Sequence, residues 1–161
     1  MTAQIFAFPA VVNERAARVV AAVVAGLGAL VLATGWHWLT ALLAAGFLLR
    51  VLGGPRFSPL GRLAAQVIAP RLGPSVPTAG PPKRFAQGVG LAVTTTAAVL
   101  ALGFGLSAPA TALVAALVVF AVLESALGWC AGCAVFARLM DWGLIPEETC
   151  EACANISLAR V

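Results

Sequence analysis

Charge is what this chain has least of. Of 161 residues only 10% are charged, six of them acidic, and there is a single histidine, His37. A soluble domain usually carries about 25% charged residues. Together with a hydrophobic share of 61%, this is too much apolar material for one soluble core; several membrane spans absorb it instead. The scarcity of polar side chains also removes whole classes of chemistry. There is no phosphate-binding glycine loop, no Ser-His-Asp set and no carboxylate dyad, so hydrolase and nucleotide chemistry have no support. One histidine cannot make a bis-His haem site. No basic residue precedes the apolar start Ile5–Val12, which contains Pro9. It reads as a short segment lying at the membrane interface, not as a removable signal peptide.

The hydrophobic runs divide the chain. No charge occurs between Arg18 and Arg50, a stretch too long for one ordinary span of ~20 residues. Its middle, Thr34-Gly35-Trp36-His37-Trp38, combines a turn residue with tryptophans that favour the lipid–water boundary. Two helices are expected, from about Ala16 to Thr34 and from about Trp36 to Leu52. A second uncharged stretch, Phe85 to Leu123, is broken at Gly103-Phe-Gly-Leu-Ser-Ala-Pro109. Proline is tolerated in the first turn of a helix, so the third span is placed at Phe85–Leu106 and the fourth at Pro109–Gly128. The expected fold is all-α: an integral membrane four-helix bundle of two helical hairpins, with an amphipathic helix in the central loop and a cysteine-bearing C-terminal tail. The corresponding segments are 1–15, 16–52, 53–84, 85–128 and 129–161.

With four spans, all ten basic residues, from Arg15 to Arg160, fall on one side. Positively charged loops stay cytoplasmic, which places both termini, the central loop and every cysteine in the cytosol. The net charge of +4 is explained by this rule, and no nucleic-acid partner is expected. In the central loop, Ser58-Pro59 is a helix start of cap plus first-turn proline. Leu60, Leu63, Ala64, Val67 and Ile68 then recur at helical spacing. A short helix flat on the inner leaflet follows, ended by Pro70, and then a loose Pro/Gly/Ser linker over Leu72–Pro82.

Three stretches resemble one family: Gly54-Pro-Arg-Phe-Ser-Pro-Leu-Gly-Arg-Leu63, Lys83-Arg-Phe-Ala-Gln-Gly88 and Gly128-Trp-Cys-Ala-Gly-Cys133 are similar to the domain-of-unknown-function 4395 family. These are small bacterial membrane proteins of the cytoplasmic membrane with no established activity. The likeness spans about Val12 to Trp142, and the ending Ile145-Pro-Glu-Glu-Thr-Cys-Glu-Ala-Cys153 resembles its actinobacterial members. The resemblance implies traffic of thiols or sulfur with thioredoxin-like or sulfurtransferase partners. It also implies that Cys130 and Cys133 are the general pair, and Cys150 and Cys153 a feature of a subset.

The four cysteines form the pattern C-x2-C-x16-C-x2-C. Two such pairs at this distance are the usual arrangement of a four-thiolate zinc site, with Cys130, Cys133, Cys150 and Cys153 as ligands, and iron as a variant. Against that, the first pair lacks the following glycine that zinc knuckles favour. The other reading is dithiol exchange or sulfur relay. Sulfurs three residues apart can meet a disulfide's Cα separation, and no carboxylate lies within five residues of Cys130 or Cys133. Around the second pair, Glu147, Glu148 and Glu151 oppose thiolate formation, which gives Cys150 and Cys153 a resolving role. Simple packing of small apolar side chains is the structural alternative for all four.

Three other polar groups sit near lipid. Glu124, the one acid inside a span, is expected to bond Arg50 and so join the second and fourth helices. On an unbroken helix it points away from Cys130 and Cys133, and only a bend at Gly128 brings them together. His37 reads as an interfacial anchor, and Thr94, Thr95 and Thr96 as packing residues that can hydrogen-bond between helices.

Overall fold

The structure, a computed structural model, describes residues 8–146. A short strand β1 (Val11–Asn13) leads into α1 (Glu14–Thr34), followed by α2 (Trp38–Gly53). The central loop carries α3 (Pro59–Leu63), a π-helical turn over Ala64–Ile68, α4 (Ala69–Arg71) and a second strand β2 (Pro77–Ala79). Then come α5 (Gly80–Ala98), which continues as a π turn over Val99–Gly103, α6 (Ser107–Leu127) and α7 (Ala131–Asp141). Four of these helical segments, Glu14–Thr34, Trp38–Arg56, Gly80–Gly103 and Ser107–Leu127, are long and apolar enough to cross a membrane. This is the pattern of a multi-pass membrane protein. At 1.5 Å per residue, about 20 residues cover the ~30 Å hydrocarbon layer.

The surface argues for the same solvent. Leu32, Leu42, Leu48, Leu49, Val119 and Val122 are exposed on these helices. A water-soluble monomer rarely leaves so much contiguous apolar surface uncovered. Trp36 and Trp38 are exposed at the α1–α2 turn, and Trp129 and Trp142 near the opposite end, where interfacial tryptophans belong.

Two apolar clusters fix the helix directions. One joins Ala16, Val20 and Val24 of α1 to Leu43 and Phe47 of α2 and Ala121 of α6. The other joins Val31 of α1 to Leu39 of α2, Ala97 of α5 and Ala110 and Val114 of α6. Each cluster combines one end of α1 with the opposite ends of α2 and α6, so consecutive spans run antiparallel. The broadest interfaces nevertheless pair α1 with α6 and α2 with α5, not the consecutive helices. The bundle is cross-braced: consecutive helices touch, but less broadly than these two pairs.

The central loop departs most from expectation. Ser58 caps α3 as anticipated, its hydroxyl accepting from the Gly61 N–H at 3.2 Å. Pro70, however, lies inside α4 and does not end it. The helix also turns a different face inward: Ala64 and Ala69 are fully buried in the core shared with α1, while Leu63 and Val67 are exposed. The stretch expected to be a loose linker instead holds β2, paired antiparallel with β1 in the register Val11–Ala79, Val12–Thr78 and Asn13–Pro77. Asn13 is the hinge of this arrangement. Its Oδ1 accepts from the Arg15 N–H at 3.0 Å, capping α1, and from the Val76 N–H at 3.4 Å. The predicted interfacial segment is thus a strand in its last residues, and its beginning, Ile5–Ala7, lies outside the described residues.

A dithiol above a buried ion cluster

Gly128 creates the site. It ends α6 with φ +70°, a left-handed conformation that costs a non-glycine residue roughly 1–2 kcal/mol. Its N–H bonds the Glu124 carbonyl at 3.0 Å, and the Trp129 N–H reaches the Leu123 carbonyl at 3.3 Å. The chain therefore turns sharply and starts α7 three residues later, at Ala131. The bend that Glu124 needed in order to face the cysteines is present: Glu124 and Cys130 line one cavity.

Cys130 is the N-cap of α7. Its sulfur accepts from the backbone N–H of Cys133 at 3.3 Å, and the Cys133 thiol donates to the same sulfur at 2.7 Å. Cys130 is buried and Cys133 half-buried, both as free thiols. Two donors converging on one sulfur stabilise its anion. The Cys133 hydrogen bonds accordingly hold the Cys130 thiol below the ordinary range, against burial and the Glu124 charge and with help from Lys83. Cys133 moves the other way: the hydrogen bond it gives to Cys130, then burial, push its thiol up. The two thiols are thus shifted in opposite directions, Cys130 down and Cys133 up.

The pair is held against α5 through Gly132. A Cβ there would lie 2.5 Å from the Ala86 Cβ and 2.6 Å from the Ala86 Cα, a separation that only glycine permits. Phe136, buried one turn further on, packs its ring against Phe85 with centroids 5.7 Å apart.

Beneath the thiols lies an ion cluster that the sequence did not disclose. The Lys83 ammonium donates to Glu124 Oε1 at 2.8 Å and pairs with Glu14 Oε2 at 3.4 Å. This corrects the expected Arg50–Glu124 bond. Arg50 sits on α2, whose neighbour is α5, and its Nε donates to Gln87 Oε1 at 2.7 Å. Its guanidinium also lies 4.6 Å from the Phe47 ring centroid. It is buried in the bundle and does not extend to the headgroups. Glu124, on α6, meets Lys83 instead. The uncharged stretch begins only at Phe85, which leaves Lys83 outside the expected third span. In the structure Pro81 and Pro82 occupy the first turn of α5, where no intrahelical N–H is required. Once α5 starts at Gly80, Lys83 joins the buried stripe Gly80, Lys83, Gly90, Thr94 and Ala97, and its spacing is the signal that could have found it.

The remaining polar residues pack locally. His37 Nε2 lies 3.2 Å from the Thr111 hydroxyl, bonding the first turn of α6 to the α1–α2 turn. Thr94 and Thr96 donate to the Gly90 and Ala92 carbonyls of their own helix at 2.7 and 2.8 Å. They do not bond between helices as expected; a carbonyl one turn back is nearer than any neighbouring helix. Cys150 and Cys153 lie outside the described residues, and among the described residues no three His, Cys, Asp or Glu side chains gather as a metal-binding group.

Neither a curated protein nor a solved structure matches the chain. Residues 12–141, from β1 through the end of α7, match the family described as domain of unknown function DUF4395. The span of that match takes in the bundle, the ion cluster and the first cysteine pair, and the chain belongs to the DUF4395 family.

Proposed function

We propose that this protein carries out thiol–disulfide exchange, or the closely related relay of a sulfur atom, at the cytosolic face of a bacterial cytoplasmic membrane. The observation that carries the reading is the asymmetry of the pair: Cys130 receives two hydrogen bonds from Cys133, one of them from its thiol. A nucleophilic thiolate beside a protonated thiol is what exchange requires. The Cys130 thiolate attacks a partner's disulfide, forms a mixed disulfide and expels the first partner thiolate. Cys133 then gives up its proton, attacks the Cys130 sulfur and releases the second partner thiol as the Cys130–Cys133 disulfide closes. With a persulfide donor, the same thiolate takes the outer sulfur and leaves a donor thiol behind.

A thioredoxin-like or sulfurtransferase protein is the partner class proposed here, with Cys150 and Cys153 as a second, resolving pair. The cytosolic orientation rests on the basic residues of α1, α3, α5 and α7 and the C-terminal end of α2, all at the cysteine-bearing end of the bundle.

The test is the behaviour of single-cysteine variants toward glutathione disulfide in mild detergent. In a Cys150→Ser/Cys153→Ser background, Cys133→Ser, with the nucleophile kept, should accumulate one glutathione on Cys130 and hold it. Cys130→Ser should react at the rate of an unactivated thiol. Equal reactivity of the two variants would remove the basis for the reading. Elemental analysis of the intact chain addresses the four-cysteine metal site: about one zinc or iron per chain, lost in Cys130→Ser, would replace exchange with a structural metal centre.

A further inference from the structure

Cys130 lines a cavity of about 390 Å³, within the roughly 300–1,000 Å³ range of small-molecule sites. The cavity lies inside the bundle, between α1, α2, α5 and α6, beneath the start of α7. Its walls are apolar, Val93, Leu117 and Phe120 among them, and its polar groups are Gln87, Glu124 and the Cys130 sulfur. The carbonyl oxygen of the Gln87 side chain is engaged by Arg50, which leaves the amide N–H group as a donor.

The cavity also reaches lipid. Val89 on α5 and Phe120 on α6 line it and are exposed on the outer surface. These two helices touch each other less extensively than either touches its main partner. An occupant entering from the bilayer must be lipid-soluble, with a polar head that accepts a hydrogen bond from Gln87 beside the Cys130 sulfur.

We propose that the cavity binds a lipid-soluble quinone, which takes the electrons of the Cys130–Cys133 dithiol. The proposal rests on the dithiol reading above. In the step, the Cys130 thiolate and the Cys133 thiol form one S–S bond and give up two electrons and one proton, and a second proton comes from water. The quinone accepts both electrons and both protons and leaves as the hydroquinone. The disulfide is then reduced by the thiols of a soluble partner, so electrons pass from cytosolic thiols to the membrane quinone.

The experiment uses the full chain in mild detergent, reduced beforehand, in a Cys150→Ser/Cys153→Ser background. Decylubiquinone is the probe, because its fully substituted ring resists direct addition of thiols. One quinone should be reduced per chain, with the loss of two thiols. Ala116→Trp, on the α6 wall of the cavity, should slow quinone reduction about tenfold or more by filling the space, with its unfolding transition confirming the fold. If Ala116→Trp does not fold, Val93→Phe on the α5 wall gives the same reading. An unslowed rate in a folded cavity variant overturns the proposal. So does a wild-type chain that glutathione disulfide oxidises but that leaves the quinone unreduced, and in that case the dithiol reading stands. A chain inert to both oxidants overturns the two together.

Discussion

Lys83 is where one side chain decides most. It is 5% exposed and holds Glu14 and Glu124 together, and removing one partner of a buried ion pair strands the other charge. Lys83→Met should therefore destabilise the bundle by about 3–5 kcal/mol, measured as a shift in unfolding in mild detergent. Adding Glu124→Gln should recover part of that loss, because one stranded carboxylate becomes neutral. At Cys130 the consequence is a pH profile. Since the Cys133 hydrogen bonds hold the Cys130 thiol below its ordinary range, alkylation should rise with pH around a midpoint on the acid side of the ordinary thiol value of about 8.5. Cys133→Ala removes the side-chain donor, so the midpoint should move up. A midpoint that stays put in that variant would show that Cys133 is not the cause.

At the scale of elements, α7 depends on close approach to α5. Gly132→Val would drive a side chain into Ala86 and lift the start of α7 away. Cys130 should then become exposed, react faster with a bulky maleimide and titrate nearer to an ordinary thiol. Unchanged accessibility would mean that α7 is held elsewhere. The four spans were readable because a long uncharged run has few solutions in lipid. The ends of elements were not, for a shared reason. Pro70 and Pro81-Pro82 are breakers only where the helix must supply an N–H at that point, and the sequence does not say where a helix begins. A span that starts where the charges end, at Phe85, leaves Lys83 in a loop, whereas α5 begins at Gly80. On α2, Leu39, Leu43, Phe47 and Arg50 form one buried stripe, which a charge-based reading of the span end does not reveal. The pairing of β1 with β2 brings together segments far apart in sequence, and three-residue strands leave no pattern to find. The cysteine pair itself was plain in the sequence. Its polarity was not, because that comes from the turn at Gly128 and the cap of α7.

For the whole molecule, the arrangement is a cross-braced bundle whose basic end holds the Cys130–Cys133 pair and the Lys83 ion cluster. Arg18 ties α1 to α6, donating to the Ser125 and Ala126 carbonyls at 3.0 and 2.7 Å, and Arg84 ties α5 to α2 through the Val51 carbonyl at 3.1 Å. Basic side chains here satisfy helix ends as well as marking a membrane side. If that side is cytosolic, an impermeant maleimide should label Cys130 in inside-out vesicles and leave it unlabelled in intact cells. Labelling of intact cells would reverse the orientation and place the dithiol in an oxidising compartment. The central claim is that Cys130 and Cys133 cycle between dithiol and disulfide, and the most direct test is a thiol count on the purified chain in a Cys150→Ser/Cys153→Ser background. The account predicts two free thiols after treatment with reduced thioredoxin, none after glutathione disulfide, and two again when thioredoxin is returned. Two thiols under all three conditions would contradict it.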